Sequence, residues 1–470
     1  MLGLKGLRRK AVKSGVVTEA REFLKLAIPL ATAQIAQFAV SFVDTIMMGH
    51  LSTASLAVGG LASGTFQMLL TIVTGFVMSV GVLAAEAYGA EKKDKLVDLA
   101  RQGLWLCLLM TLPFFVLLWF MTPIMRLLGQ PEMVVSLAQQ YFRWITLGVF
   151  PAMGFAMLRG YVSAFSLANV VTVIVLLGTV FNIGCNYVLG FGKLGFIRME
   201  LAGFALGSSL SFWLMFGLFL AYIFRQPVLK AYPFWRGWQH PNLTILHQLT
   251  AVGLPIATTY LLELGLFLAV AYMAGSLGTD VLAAHQIAFQ VIALIFMVPI
   301  GMSLAVTARV GLWFGRGDRA GMRRAGFVAI ASAICFLFFS AVLLFLFRYY
   351  AICLFIDVSD PQNTAVVMMA MNLLLVAAIA QMLDGTQRVT MSALYGLQDT
   401  RVPMLLSVTA FWGIGITTGY ILCFAMGFGV VGLWMGQYTG VAIGGIVFVL
   451  RFHFLTKRSL EKPSSVNRKL

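Results

Sequence analysis

A chain of 470 residues that is 60% hydrophobic and only 11% charged, with a mean hydropathy of +0.92, carries too few polar side chains to cover a water-soluble globule. Its formal net charge of +16 does not point to nucleic acid, because the basic residues stand at the ends of hydrophobic runs and not in one patch interleaved with aromatics. The expected partner is the lipid bilayer. The cysteines Cys107, Cys185, Cys335, Cys353 and Cys423 lie scattered in apolar stretches without CxxC spacing, which argues against a zinc site or a disulfide framework.

Apolar windows of about 20 residues predict twelve membrane-crossing helices, at 23–49, 57–84, 103–128, 137–161, 168–191, 201–224, 246–275, 281–309, 325–349, 363–394, 402–426 and 430–453. The chain is thus expected to be an all-α polytopic membrane protein. The first span is the most informative. It carries Gln34, Gln37, Ser41 and Asp44 at spacings of three, four and three, so a helix aligns them as one polar stripe. A carboxylate inside a span costs about 2.5–3.5 kcal/mol on insertion scales, and Asp44 is therefore read as functional. Pro29, some four turns earlier, removes one backbone hydrogen bond and marks an expected bending point.

Lys5, Arg8, Arg9, Lys10 and Lys13 precede the first span; Lys92, Lys93 and Lys95 follow the second; Arg316, Arg319, Arg323 and Arg324 follow the eighth; Lys457, Arg458 and Lys462 follow the twelfth. Positive-inside bias then puts both termini in the cytoplasm. The predicted organisation is an N-terminal tail (1–22), an N-lobe of six spans (23–224), a cytoplasmic linker rich in proline, aromatics and basic residues (225–245), a C-lobe of six spans (246–453) and a C-terminal tail (454–470).

The halves repeat. At an offset of 226, Pro29 meets Pro255, Ala31-Thr32 meets Ala257-Thr258, Gly49 meets Gly275 and Gly75 meets Gly301. Further on the offset is 229, where Ser163-Ala164 meets Ser392-Ala393 and Gly203/Gly207 meets Gly432/Gly436. An even number of spans per half gives both copies the same orientation, with a pseudo-twofold axis along the membrane normal. Transporters use this arrangement, with binding sites near mid-membrane.

Asp44 in the first span, Glu263 in the seventh and Asp384 in the tenth are the acids well inside predicted spans. Glu263 shares a helix face with Thr259, and Asp384 shares one with Gln381 and Arg388. In the repeat frame Glu263 corresponds to Gln37, two helical turns before Asp44. The functional reading is a carboxylate that binds Na⁺ or H⁺ in alternation with substrate; the structural reading of Asp384 is an ion pair with Arg388. Asn182 and Asn186, four apart in the fifth span, are candidate partners of Asp44. Amide and carboxylate oxygens are hard ligands suited to a small cation such as Na⁺.

Two GxGxxG matches, Gly190-x-Gly192-x-x-Gly195 and Gly427-x-Gly429-x-x-Gly432, lack the strand and helix context of a nucleotide site and are read as tight turns. No Walker A, HExxH or GxSxG sequence occurs, so no enzyme activity and no cofactor is expected beyond a coupling ion.

The segment Phe42-Val43-Asp44-Thr45-Ile46-Met47-Met48-Gly49, the pair Asn182/Asn186 followed by Tyr187, and Gly396-Leu397-Gln398-Asp399-Thr400-Arg401-Val402-Pro403 resemble the multidrug and toxic compound extrusion (MATE) family. The resemblance runs from about residue 21 to 455, and acids at both Glu263 and Asp384 make the chain similar to the NorM branch. It implies a V-shaped pair of six-helix lobes in a bacterial inner membrane that exports cationic or amphipathic drugs and dyes in exchange for Na⁺ or H⁺. A monomer is expected. Carried over by position, Asp44, Asn182 and Asn186 match an N-lobe cation site, and Ser208 falls where the family usually has a threonine ligand. Glu263 and Asp384 match C-lobe acids that bind the ion and face cationic drug; Gln37 joins Asp44, Glu263 and Asp384 as a substrate-facing candidate. Leu158-Arg159-Gly160 keeps the family's Leu-Arg-Gly, whereas the second half has Leu394-Tyr395-Gly396. The alternative reading is a lipid-linked precursor flippase on a related doubled scaffold.

Overall fold

The structure is a computed structural model that describes residues 2–127, 129–235, 240–358 and 360–461. Residue 128 of the predicted third span, residues 236–239 of the predicted linker and residues 462–470 of the predicted tail lie outside the described residues, as do the side chains of 2–14 and 458–461.

Among the described residues, twelve helices are long and apolar enough to cross a membrane: α1 (Gly15–Gly49), α2 (Ser55–Gly89), α3 (Lys93–Leu127), α4 (Glu132–Ala164), α5 (Asn169–Gly190), α6 (Leu201–Arg225), α7 (Leu243–Ser276), α8 (Thr279–Gly315), α9 (Arg319–Cys353), α10 (Pro361–Gly396), α11 (Arg401–Ala425) and α12 (Gly429–Lys457). The chain is an all-helical, multi-pass membrane protein, with no strand among the described residues. Large apolar side chains turned outward, such as Trp119 at 69% and Val180 at 70% exposure, face what in a membrane is lipid and not water.

The helices run past the predicted apolar windows. α3 begins at Lys93 and not at 103, α8 continues to Gly315 and not 309, and the helix of α1 reaches back to Leu2 through most of the predicted tail. Hydropathy measures only the lipid-facing part of a helix, whereas a helix continues while its backbone is paired and ends where a cap satisfies the free donors. Ser52 supplies such a cap to α2 by accepting from the Ser55 amide at 3.0 Å, and Asp318 does so for α9 by accepting from the Gly321 amide at 2.9 Å.

By internal packing the chain divides into two compact units, residues 32–257 and residues 1–31 with 258–470. The dividing points fall inside α1 and α7. In the first unit, the end of the linker is fastened to α3. Arg101 Nε donates to the Phe234 carbonyl at 2.9 Å, Gln102 accepts from the Asn242 amide at 2.9 Å, and Asn242 in turn caps α7 by accepting from the Thr244 amide at 3.0 Å. α5 ends in a widened π-helical turn, Asn186–Gly190. In the second unit, α11 carries two such segments, Val408–Ile416 and Ile421–Ala425. The glycine-rich turns form as read from the sequence: Gly192 and Gly195 after α5 have φ +68° and +84°, and Gly427 and Gly429 after α11 have φ +75° and +56°, which only glycine adopts without strain.

In the second unit the base of α1 is tied to α8. Glu19 and Arg309, both buried, form a two-pronged pair with both N–H···O distances at 2.8 Å, and Trp313 Nε1 donates to the same carboxylate at 3.1 Å.

Candidate functional site

In the unit of residues 32–257, the polar stripe of α1 meets two partners. Gln34 accepts from Arg159 of α4 at 2.8 Å. Asp44, five residues before Gly49, accepts from Asn186 Nδ2 at 2.7 Å. The same amide nitrogen donates to Asn182 Oδ1 at 3.1 Å, and Asn182 Nδ2 donates to Ser208 Oγ of α6 at 3.3 Å. Four predicted residues, Asp44, Asn182, Asn186 and Ser208, thus form one connected chain across α1, α5 and α6. Gln37 is half-buried on α1 between Gln34 and Asp44.

This chain of bonds is held by close packing of two helices. A Cβ at Gly207 of α6 would lie 2.5 Å from Asn186 Oδ1, and one at Gly203 would lie 2.6–2.7 Å from the backbone of Leu189 and Gly190. Only glycine at these positions lets α6 approach the widened turn of α5, and the widening begins at Asn186 itself. Such turns are common where a helix presents functional groups. Asn186 Oδ1 is buried and has no hydrogen-bond partner among the described residues. The Asp44 carboxylate, the Asn182 and Asn186 amide oxygens and the Ser208 hydroxyl are hard oxygen atoms of the class that ligates a small cation. Tyr141 of α4, itself buried, lies within electrostatic reach of Asp44.

In the unit of residues 1–31 and 258–470, Glu263 of α7 and Asp384 of α10 come together as a second cluster. They lie within electrostatic reach of one another and of Arg388. Asp384 lies twelve residues, roughly 18 Å along the helix, from the Gly396 end of α10, well inside the apolar span. The structural reading of Asp384 as the ion-pair partner of Arg388 is corrected by the structure: Arg388 Nη1 donates to Glu263, across to α7. The Arg388 guanidinium also stands 4.6 Å from the centre of the Tyr260 ring. Register between α7 and α10 brings Glu263 and Tyr260 to Arg388, so the cross-helix carboxylate takes the guanidinium in preference to the one four residues back. Tyr438 of α12, also buried, reaches Asp384 electrostatically. Behind this cluster Ser340 of α9 donates to Gln381 at 3.1 Å, fixing the face of α10 that carries Asp384.

A protein-family model described as MatE matches residues 29–188 and 255–421, well over half the chain. The chain belongs to the MatE family. The two matched stretches begin at Pro29 and Pro255, the same offset that aligns the halves of this MatE chain with each other. It is 47% identical over 439 residues to a probable multidrug resistance protein NorM of Synechococcus sp., covering 93% of this chain and 95% of that one. A probable multidrug resistance protein NorM of Synechocystis sp. is 40% identical over 453 residues, covering 96% and 98%. An outward-facing multidrug resistance MATE family transporter of the MOP superfamily superposes with a TM-score of 0.84 at 21% identity, over 95% of this chain and 97% of that one. A MATE in complex with MaL6 gives a TM-score of 0.84 at 20% identity over 94% and 98%. These structures share the fold of the MatE chain.

Several residues around the two acid clusters are not singled out by motif or periodicity. The Arg388–Glu263 pair, the Arg159–Gln34 contact, and Tyr141 and Tyr438 beside the acids arise from helix register. The offset of 229 read from Ser163-Ala164 and Ser392-Ala393 is corrected by the structure: α4 and α10 end in the same hydrogen-bonded turn at Ser166 and Gln398, both at φ +61°, so these helices align at 232 and Arg159 is not the counterpart of Arg388.

Proposed function

We propose that the chain is a secondary active multidrug efflux antiporter that exports cationic or amphipathic compounds in exchange for Na⁺ or H⁺. In this reading it resides in a bacterial inner membrane as a monomer with both termini cytoplasmic, and the lobes 23–224 and 246–453 rock about the binding sites. The observation that carries the reading is the placement of carboxylates inside membrane-crossing helices, each with a prepared polar environment: Asp44 on Asn186, and Glu263 and Asp384 around Arg388. Carboxylates at such depth are costly and are retained where an ion or a cationic substrate uses them.

Exchange follows from linkage. An ion and a drug that each bind one conformation better than the other are coupled through that conformation, and the coupling is reciprocal. An ion arriving at Asp44 changes its charge and its bond to Asn186; α1 then shifts about Pro29 and drug is released.

The test is efflux of a fluorescent cationic dye from proteoliposomes under an imposed Na⁺ gradient with pH clamped, and under an imposed pH gradient with Na⁺ clamped. Efflux under either gradient supports the reading and names the ion. Failure under both overturns it in favour of a lipid-linked substrate.

A further inference from the structure

Each half has an arginine on its fourth helix, Arg159 and Arg388, that reaches the first helix, but from different levels: α4 and α10 end in the same turn at Ser166 and Gln398, both at φ +61°, an offset of 232 that pairs Arg388 with Ala156 and Arg159 with Met391. On the first helices Gln34 and Tyr260 correspond at offset 226, as do Gln37 and Glu263. In each copy the arginine of the fourth helix reaches the first helix of the same half: Arg159 donates to Gln34 at 2.8 Å, and Arg388 donates to Glu263 and covers Tyr260. Each guanidinium also stands by one aromatic ring, Phe155 at 5.9 Å in the first copy and Tyr260 at 4.6 Å in the second. The contact of a fourth-helix arginine with the first helix is shared, and what differs is charge. Beside Arg159 stand Gln34 and Phe155, whereas Arg388 stands among Tyr260, Glu263 and Asp384.

We propose that Arg388 is the resident cation of the second copy and sets the charge specificity of its site. Resting on the antiporter reading, this deepens it: Arg388 answers the charge of Glu263, leaving one negative charge for a mobile ligand, so the site takes one monovalent cation at a time and discriminates against dications. Glu263 lies where the first copy has Gln37 and Asp384 where it has Ala152, so neither carboxylate has a charged counterpart in the first copy. A tethered guanidinium is suited to this role. It stays protonated at any accessible pH, its fork matches a carboxylate, and it stands over the Tyr260 ring. Because Asp384 lies one helical turn from Arg388 on the same helix face, the guanidinium is also placed to turn onto Asp384 when Glu263 is lost or occupied.

The proposal is tested by equilibrium dialysis of the purified full chain in detergent at fixed pH, with tetraphenylphosphonium as a monovalent probe and methyl viologen as a dicationic one. Glu263→Gln frees Arg388 to neutralise Asp384, and tetraphenylphosphonium affinity is expected to fall at least about tenfold, about 1.4 kcal/mol. Adding Arg388→Gln to that variant leaves Asp384 as a single negative charge and is expected to restore affinity to within about threefold of wild type, about 0.7 kcal/mol. Arg388→Gln alone leaves two carboxylates, and the ratio of methyl viologen to tetraphenylphosphonium affinity is expected to rise at least about tenfold. Arg388→Lys, which keeps the charge, is expected to leave that ratio near wild type.

A purely structural arginine predicts otherwise: the double variant would bind no better than Glu263→Gln, and the affinity ratio would not move. Either result overturns the charge assignment while the antiporter reading stands. If Arg388→Gln does not fold, the double variant, which keeps the net charge of wild type, decides the matter by its rescue of Glu263→Gln. Wild-type protein that binds neither probe overturns the antiporter reading and this inference together.

Discussion

The buried Glu19–Arg309 pair offers a sharp test of what holds α1 to α8. Both side chains are nearly inaccessible, at 3% and 9% exposure, and the carboxylate accepts three hydrogen bonds, two from Arg309 at 2.8 Å and one from Trp313 at 3.1 Å. Glu19→Ala leaves the buried guanidinium without its hydrogen-bonded counter-charge, with only the more exposed Glu22 in electrostatic reach, and breaking such a buried pair costs about 3–5 kcal/mol. At about 2–4 °C per kcal/mol for a unit of roughly this size, thermal unfolding of the purified chain in detergent is expected to drop by about 6–20 °C. The double replacement Glu19→Leu with Arg309→Met removes both charges and keeps apolar volume. Only the Trp313 indole N–H then lacks its acceptor, a cost of about 1–3 kcal/mol, so the double variant is expected to be more stable than Glu19→Ala. The reasoning fails if the double variant is as unstable as Glu19→Ala combined additively with Arg309→Met, because two residues that share a charge-assisted network do not add.

Asp44→Asn and Glu263→Gln are each expected to abolish dye efflux in proteoliposomes while the protein still inserts and unfolds cooperatively; full transport by both would refute the proposed mechanism. Gly207→Ala places a methyl group 2.5 Å from Asn186 Oδ1 and is expected to lower efflux several-fold, with an overpacking cost of about 1–3 kcal/mol. Gly217→Ala on the same helix, where a Cβ meets nothing within 4 Å, is the control and should transport like wild type. Trp434→Phe removes the buried bond from Trp434 Nε1 to His285 Nδ1, 3.0 Å long, and leaves the imidazole unpartnered; a loss of about 1–3 kcal/mol should appear as a lower unfolding temperature with little change in efflux.

The twelve helices were legible because a membrane reduces the sequence problem to finding apolar stretches of sufficient length. Their ends were not: the first turns of α3 from Lys93 are polar enough to fall outside a hydropathy window yet are helical, and α8 continues past the charged Arg309 through the apolar turn 310–315. The acids were legible for the same reason that they are costly: Asp44, Glu263 and Asp384 are each the only acid in a long apolar run. The meeting of Asp44 with Asn186 is also foreshadowed in spacing, because Asn182 and Asn186 share one face of α5 and a polar face inside a span must find a partner. The role of Gly207 in setting Asn186 is not, because it depends on how closely α6 approaches a turn that has widened from its regular pitch.

Arg388 shows where local rules mislead. Within one helix, Asp384 and Arg388 stand at the spacing that favours an ion pair, an effect of about 0.3–0.5 kcal/mol on an exposed helix. That preference is small beside what a buried guanidinium gains from a carboxylate and an aromatic ring held in place by another helix, and Glu263 and Tyr260 supply both. Helix register is a tertiary quantity that no window of α10 contains. A duplicated chain carries a partial record of it. Arg159 reaches Gln34 and Arg388 reaches Tyr260, which correspond on the first helices at offset 226, yet the arginines themselves stand three residues apart in the frame that aligns α4 with α10 at 232. In a repeat protein the other copy therefore points to the helix on which a buried charge finds its partner, while the level of the contact is set by where each helix ends.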